Sequence, residues 1–287
     1  MDPFIIHPET AIGSTHLAVA DLERSRQFYC DVLGFRALGG AGPALTLTAD
    51  GATPLVVLAE QRGAQPKPRR ATGLYHFAIL VPSRLDLARS LRRLAEARYP
   101  LSGASDHLVS EALYLDDPDG NGIEIYRDRP REEWPRLNGQ VQMTTDPLDV
   151  DGIVRELDRE ERPLDGLAAQ TRIGHMHLHV ADLRAAEAFY CGLLGFEVMQ
   201  RYGPSALFVS AGGYHHHIGL NTWAGVGAPP PPAGSAGLRY FVVQLPDQAA
   251  CDQVAARVRE AGLATEAVAE GLLVRDQAQN GVVLAVR

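Results

Sequence analysis

The chain has 287 residues, 46% of them hydrophobic and 22% charged, which is enough apolar material for two domains with packed cores and carries no sign of disorder. A formal net charge of −8 supplies no basic field to attract phosphates, so the composition argues against nucleic acid and anionic membranes and toward a small molecule as partner. No apolar run approaches the roughly 18 residues of a membrane span, and the opening MDPFIIHPET lacks the basic and apolar regions of a secretory signal, so a cytoplasmic protein is expected.

Taken in chain order, residues 12–35, IGSTHLAVADLERSRQFYCDVLGF, open with the alternation of a half-buried strand. A helix is expected next. Asp21 suits its N-cap, Leu22, Phe28, Tyr29, Val32 and Leu33 form an apolar stripe, and Gly34 suits a left-handed C-cap. ALTLTADGATPLVVLAE then reads as antiparallel strands around a Gly-bearing turn, completing module A, residues 8–62. Beyond QRGAQPKPRRATG, module B (70–130) begins with the strand GLYHFAILVP and closes with DPDGNGIEIY at 117–126. A linker, 131–170, shows helical pattern near 150–157. Module A′ (171–224) repeats module A: residues 173–196, IGHMHLHVADLRAAEAFYCGLLGF, match 12–35 at fourteen of twenty-four positions without a gap. Its ALFVSAGGYHHHIGLN reads as two further strands, while GVGAPPPPAGSAG is too rich in Pro and Gly for either element and is expected to form a loop or flap. Module B′ (236–287) repeats B more weakly, GLRYFVVQLP answering GLYHFAILVP and DQAQNGVVLAV answering DPDGNGIEIY. Each module is thus β-α-β-β-β, and the chain is α+β. Cys30 and Cys191 fall in equivalent FYC contexts on expected buried helix faces, and no disulfide is expected.

Four such modules, with an FYxxxLGF helix end and a DPDGNGIE strand, resemble the vicinal oxygen chelate superfamily over nearly the whole chain outside the linkers. The resemblance implies the glyoxalase/bleomycin resistance/extradiol dioxygenase fold, in which modules pair into two half-open barrels. It also implies a divalent metal on a concave face, with ligands from the first and last strands of modules. His76 and Glu124 in B stand at such positions, and so does His175, directly after Gly174, in A′. Ser14 is the counterpart of His175 in A, and Tyr240 and Val283 in B′ replace His76 and Glu124. Pairing A with B would leave one barrel with His76, Glu124 and at best His16, and the other with His175 alone. Pairing B with A′ instead collects two histidines and a carboxylate, a set that leaves positions open for substrate and dioxygen. This exchanged pairing is the one expected, with A and B′ as a metal-free partner. His175 and His177 should then share the concave side and Met176 should face the helices. A lone histidine on an apolar strand is more often a hydrogen-bonded core residue than a ligand; packing or a supporting role beside the ligands is the expectation for His16 and His177, and a structural role for His179.

The segment DHLVSEALYLDDPDGNGIEIY is similar to that of the extradiol ring-cleaving dioxygenases of the catechol 2,3-dioxygenase type, which implies active-site roles for His107 and Tyr114 beside Glu124. HHHIGLN is likewise similar to their strand whose second histidine faces the substrate, here His216, with alternation turning His215 and His217 away. The implied reaction is ring opening of a small aromatic diol by O2 at Fe(II) or Mn(II), with His216 handling protons and Tyr114 and His107 hydrogen-bonding substrate oxygens. The family also implies self-association. The alternative on the same fold is a glyoxalase-like lyase or isomerase, or a binding protein, which chelates a metal without dioxygen chemistry; Tyr114 and His216 discriminate between them. Trp223 and the Pro-rich loop after it are expected to cover the pocket.

Overall fold

Period-2 patterning and side-chain caps decide the local structure of every module. The computed structural model describes residues 3–38, 44–137, 140–160 and 165–287, so short parts of module A and of the linker lie outside the described residues. Module A contains β1 (Ala11–Val19), α1 (Leu22–Gln27), β2 (Arg36–Leu38), β3 (Ala44–Thr48) and β4 (Val56–Glu60). Module B contains β5 (Gly73–Leu80), α2 (Arg84–Glu96), β6 (Gly103–Asp106), β7 (Ser110–Asp116) and β8 (Gly122–Asp128). The linker carries a small ribbon, β9 (Arg136–Leu137) with β10 (Gln140–Val141), and the helix α3 (Val150–Arg155). Module A′ follows with β11 (Arg172–His179), α4 (Leu183–Glu187), β12 (Glu197–Tyr202), β13 (Ala206–Ser210) and β14 (Ile218–Asn221). Module B′ ends the chain with β15 (Gly237–Leu245), α5 (Gln248–Glu260), β16 (Thr265–Val268), β17 (Gly271–Arg275) and β18 (Gly281–Val286). Asp21, Ser83, Asp149, Asp182 and Asp247 each cap a helix by accepting a backbone N–H from its first turn.

Two eight-stranded curled sheets, each a half-open barrel, result. One runs β16-β17-β18-β15-β1-β4-β3-β2 and the other β12-β13-β14-β11-β5-β8-β7-β6. The joint in each is an antiparallel pair of first strands, β1 with β15 and β11 with β5, so module A shares a sheet with B′ and module A′ with B. Alternation then sorts the side chains. Phe77, Ile79, Ile123, Ile125, Met176 and Leu178 enter one continuous core that also holds the helix residues Phe28, Leu87, Phe189 and Val254. The intervening residues, His76, Glu124, His175 and His177 among them, are left for the concave face. Met176 enters that core on the face opposite the histidines, and its sulfur also accepts a hydrogen bond from the Thr15 hydroxyl of the other sheet, 3.4 Å away, where β1 and β11 pack against each other.

The repeated FYC segments are not plain α-helix. Both pass into a π-helical turn, Phe28–Val32 and Ala188–Leu193, and end at a glycine with φ near +89°. Backbone bonds from Phe35 N to Tyr29 O and from Phe196 N to Tyr190 O close the two ends identically. The wider turn leaves Cys30 and Cys191 half-buried rather than on the buried face, and all three cysteines are free. The tyrosine of each segment is fully buried and donates to an aspartate, Tyr29 to Asp117 and Tyr190 to Asp276, both at 3.0 Å. These bonds tie A to B and A′ to B′ across the two sheets.

Candidate metal centre and active site

β5, β8 and β11 are neighbours in one sheet, and their register concentrates polar side chains on its concave face. His177 lies directly opposite His76, and Glu124 directly opposite Tyr114. Glycines make room for these rings. A Cβ on Gly174 would stand 1.8 Å from the Tyr126 hydroxyl, and one on Gly219 would stand 2.9 Å from the His177 ring.

Among the described residues, His76, Glu124 and His175 form a buried group whose potential ligand atoms all lie within 4.8 Å of one another. The Glu124 Oε2 is 3.0 Å from His76 Nε2 and 3.1 Å from His175 Nε2, and the two nitrogens are 3.3 Å apart. Donors on one divalent ion with bonds of about 2.0 to 2.2 Å stand about 3.0 to 3.5 Å apart. The triangle therefore has the size that a single divalent ion can span. Burial raises the Glu124 carboxyl pKa, but the imidazoles of His175 and His76 outweigh burial and hold it well below the usual range. Burial lowers His175 to about 4 despite the neighbouring carboxylate, so its imidazole is neutral, as a ligand must be.

A cavity of about 400 Å³ opens over this group. His76, Glu124, His107, Tyr114, His216, His177 and Trp223 all line it; His175 lies deeper, 1% exposed. The Tyr114 hydroxyl is 2.6 Å from His107 Nε2, and His107 Nδ1 is 2.5 Å from the Thr144 carbonyl. Because a carbonyl only accepts, Nδ1 carries the hydrogen and Nε2 accepts from Tyr114. Burial and the charge of Glu124 hold the Tyr114 pKa well above its ordinary value.

The histidine run differs from expectation. Residues 215–217 are irregular backbone before β14, not strand, because Gly212 and Gly213 turn the chain with positive φ. Side-chain direction is set by partners instead of alternation. His215 places Nε2 2.9 Å from Asp128 Oδ1 and Nδ1 2.8 Å from His216 Nδ1, and His217 Nδ1 meets the Ser210 hydroxyl at 2.9 Å. His216 alone of the three reaches the cavity, its ring 4.1 Å from that of His175. Burial, then the surrounding histidines, keep its pKa well below the usual value.

The remaining histidines separate cleanly. His179 bonds Asn221 at 2.7 Å. His16 lies in the other sheet, stacked on Tyr240 at 4.2 Å and 2.9 Å from the Ser14 hydroxyl. His177, expected on the concave side as a packing residue or a support beside the ligands, lines the cavity, and its buried Nε2 has no hydrogen-bond partner. Trp223 lines the cavity too, but the Pro-rich loop does not. It pairs with the connection between modules A and B, through Thr72 N to Pro229 O and Ala236 N to Gln65 O. Asp128 and His215 escaped the sequence reading. The signal was the strand period itself, since Glu124, Tyr126 and Asp128 fall on one face of β8.

The model of the Glyoxalase/Bleomycin resistance protein/Dioxygenase superfamily matches residues 11–125 and 172–270, and the chain belongs to that superfamily. A catechol-2,3-dioxygenase of Bacillus subtilis is 51% identical over 274 residues, covering 94% of this chain and 95% of the relative. Two solved structures share the fold at low identity. A putative dioxygenase from Bacillus subtilis matches with TM-score 0.66 at 14% identity over 96% of this chain and 85% of its own. Glyoxalase I from Zea mays matches with TM-score 0.58 at 15% identity over 96% of this chain and 92% of its own. Among the described residues no helix is long and apolar enough to cross a membrane.

Proposed function

We propose that this protein is a metal-dependent extradiol dioxygenase that opens the ring of a catechol with O2, both oxygen atoms entering a ring-opened semialdehyde. The observation that carries the reading is the buried triangle of His76, Glu124 and His175 in contact with a cavity that also presents Tyr114 and His216. Near-full-length identity of 51% to a catechol-2,3-dioxygenase supports the same reaction class.

His76, Glu124 and His175 would hold Fe(II) or Mn(II), both of which accept two imidazoles and a carboxylate. Such an ion supplies chelation of the paired diol oxygens and a path for electrons from ring to dioxygen. The chain's own residues manage the protons. Tyr114 donates to His107 Nε2, so its oxygen can accept from a substrate hydroxyl, and the first diol proton is taken up as the Tyr114 hydrogen passes on to His107 Nε2. Asp128 accepts from His215 Nε2, His215 Nδ1 accepts in turn from His216, and His216 is left with a bare Nε2. That nitrogen takes the second diol proton and later returns it to oxygen as the O–O bond breaks. Two acceptors facing one cavity suit a substrate that must lose hydroxyl protons as it binds.

The test is anaerobic loading with Fe(II) or Mn(II), addition of catechol, then air. A yellow product absorbing from the near ultraviolet into the blue, with one O2 consumed per diol, is expected. A loaded protein that opens no catechol yet isomerises a thiol adduct is a glyoxalase-like enzyme instead.

A further inference from the structure

Three features of the cavity bear on which diol it takes. The first is size: about 400 Å³ is more than twice the roughly 150 Å³ that houses a benzene ring, so an unsubstituted catechol leaves most of it unfilled. The second is charge. Among the described residues lining the cavity there is no Lys or Arg; its carboxylates are Glu124 and the exposed Asp116. An anionic substituent would lose water there with no cation to replace it, and would face a carboxylate besides.

The third is the distribution of exposed aromatic side chains. The large hydrophobic residues that the described chain leaves exposed include three aromatics, Tyr75, Tyr202 and Trp223, and all three line this one cavity. Trp223, 48% exposed, stands edge-on to Tyr75 with ring centroids 5.2 Å apart and 5.3 Å from His177. Its backbone N–H donates to Asn221 and its indole N–H to the Ser205 hydroxyl, so the ring is held in place before any ligand arrives. Exposed rings gathered at one opening, and held there, are surface kept for an apolar partner.

We infer that the preferred substrate is an uncharged catechol bearing an apolar or aromatic substituent, which Trp223 and Tyr75 cover, and that carboxylated catechols are rejected; the inference rests on the ring-cleavage reading of this site. Each ~55 Å² of substituent surface removed from water is worth about a tenfold preference.

The experiment compares kcat/KM of the Fe(II)-loaded protein for catechol, a phenyl-substituted catechol, 3,4-dihydroxyphenylacetate and the methyl ester of that acid. The acid and its ester differ in charge at nearly constant size. The phenyl catechol should exceed catechol by about tenfold or more, the ester should exceed the acid by about a hundredfold, and Trp223→Ala should shrink the first ratio about tenfold. An acid as good as its ester, a preference for bare catechol, or a Trp223→Ala loss equal for every diol overturns the inference while ring cleavage stands. If the loaded protein opens none of the four, ring cleavage falls and the inference falls with it. A readout free of turnover comes from fluorescence, because the chain has two tryptophans and Trp134 is buried. Anaerobic phenyl catechol should quench emission from the wild type and far less from Trp223→Phe; equal quenching in both would remove Trp223 from the substituent's path.

Discussion

The half-barrel of A and B′ has the same strand order and register as that of B and A′, yet its concave face holds a different chemistry. His16 pairs with Tyr240 across β1 and β15 just as His177 pairs with His76 across β11 and β5. Where one barrel has His76, Glu124, His175 and Tyr114, the other has Tyr240, Val283, Ser14 and Leu273. Val242, Leu273, Val283 and Ala285 form an apolar cluster on that face, beside a cavity of about 350 Å³ that His16, Tyr240 and Glu270 line. The backbone thus brings four positions together twice, and side chains alone give one of the two places a set of groups that could hold a metal. Buried histidines and a carboxylate gathered at one point cost free energy apart from a metal, and only the B–A′ barrel gathers such a set among the described residues.

The largest effect expected from breaking this contrast is loss of metal. His175→Ala or Glu124→Ala should abolish stoichiometric binding and lower turnover by well over a hundredfold, the upper range for residues merely supporting a ligand. His16→Ala should bind as the wild type does. Metal analysis after gel filtration decides it, and loss of metal from the His16 variant with retention in the His175 variant would defeat the assignment.

Next comes the proton chain. His216→Gln should keep the metal and the diol yet slow turnover by about a hundredfold or more. Asp128→Asn should slow it less, since His216 remains and only the hydrogen pattern of His215 is disturbed. Equal kcat in the wild type and both variants would show that the chain from Asp128 to His216 is packing and nothing more.

Acid should also separate the barrels in the metal-free protein. Burial lowers His175 and His179 to about 4 and His217 to about 3, all in the B–A′ barrel, and lowers His16 to about 4 in the other. The unfolded chain then binds more protons than the folded one between these values and the ordinary 6.5. Stability is complete above about pH 6.5 and declines as pH falls toward 4. Three of the four groups act on one barrel, and Trp134, packed on His215 at 5.2 Å, reports from it. Trp fluorescence should change at higher pH than far-ultraviolet circular dichroism; a melting temperature flat from pH 7 to 4.5 would contradict this.

The smallest effect should be the same on both sides. Tyr29→Phe and Tyr190→Phe each remove one donor from a buried aspartate that keeps a side-chain amide and backbone N–H groups. Each should cost about 1 to 2 kcal/mol in denaturant unfolding. Costs that differ widely would show that the two pins are no longer equivalent.

How much of this was written in the chain follows from the range of each interaction. Alternation and the internal repeat are local, and they suffice for four β-α-β-β-β modules, for the caps at Asp21 and Asp182, and for the left-handed glycine at Gly34. The uneven placement of His76, Glu124 and His175 among the modules was also legible, because a repeat exposes what one copy has and the other lacks. The π turns after Gln27 and Glu187 were not, since their apolar stripe is that of an ordinary helix. Nor was the direction of the histidine run, where Gly212 and Gly213 end the strand and partners 87 residues away take over from periodicity. Which modules share a sheet is likewise tertiary: β1 and β11 carry nearly the same strand sequence, and the choice between β5 and β15 as edge partner belongs to the packing of the whole chain. That choice places His175 3.3 Å from His76; the strand sequences by themselves do not make it, and what pointed to B with A′ was the scatter of His76, Glu124 and His175 over two modules, which only a shared sheet brings together.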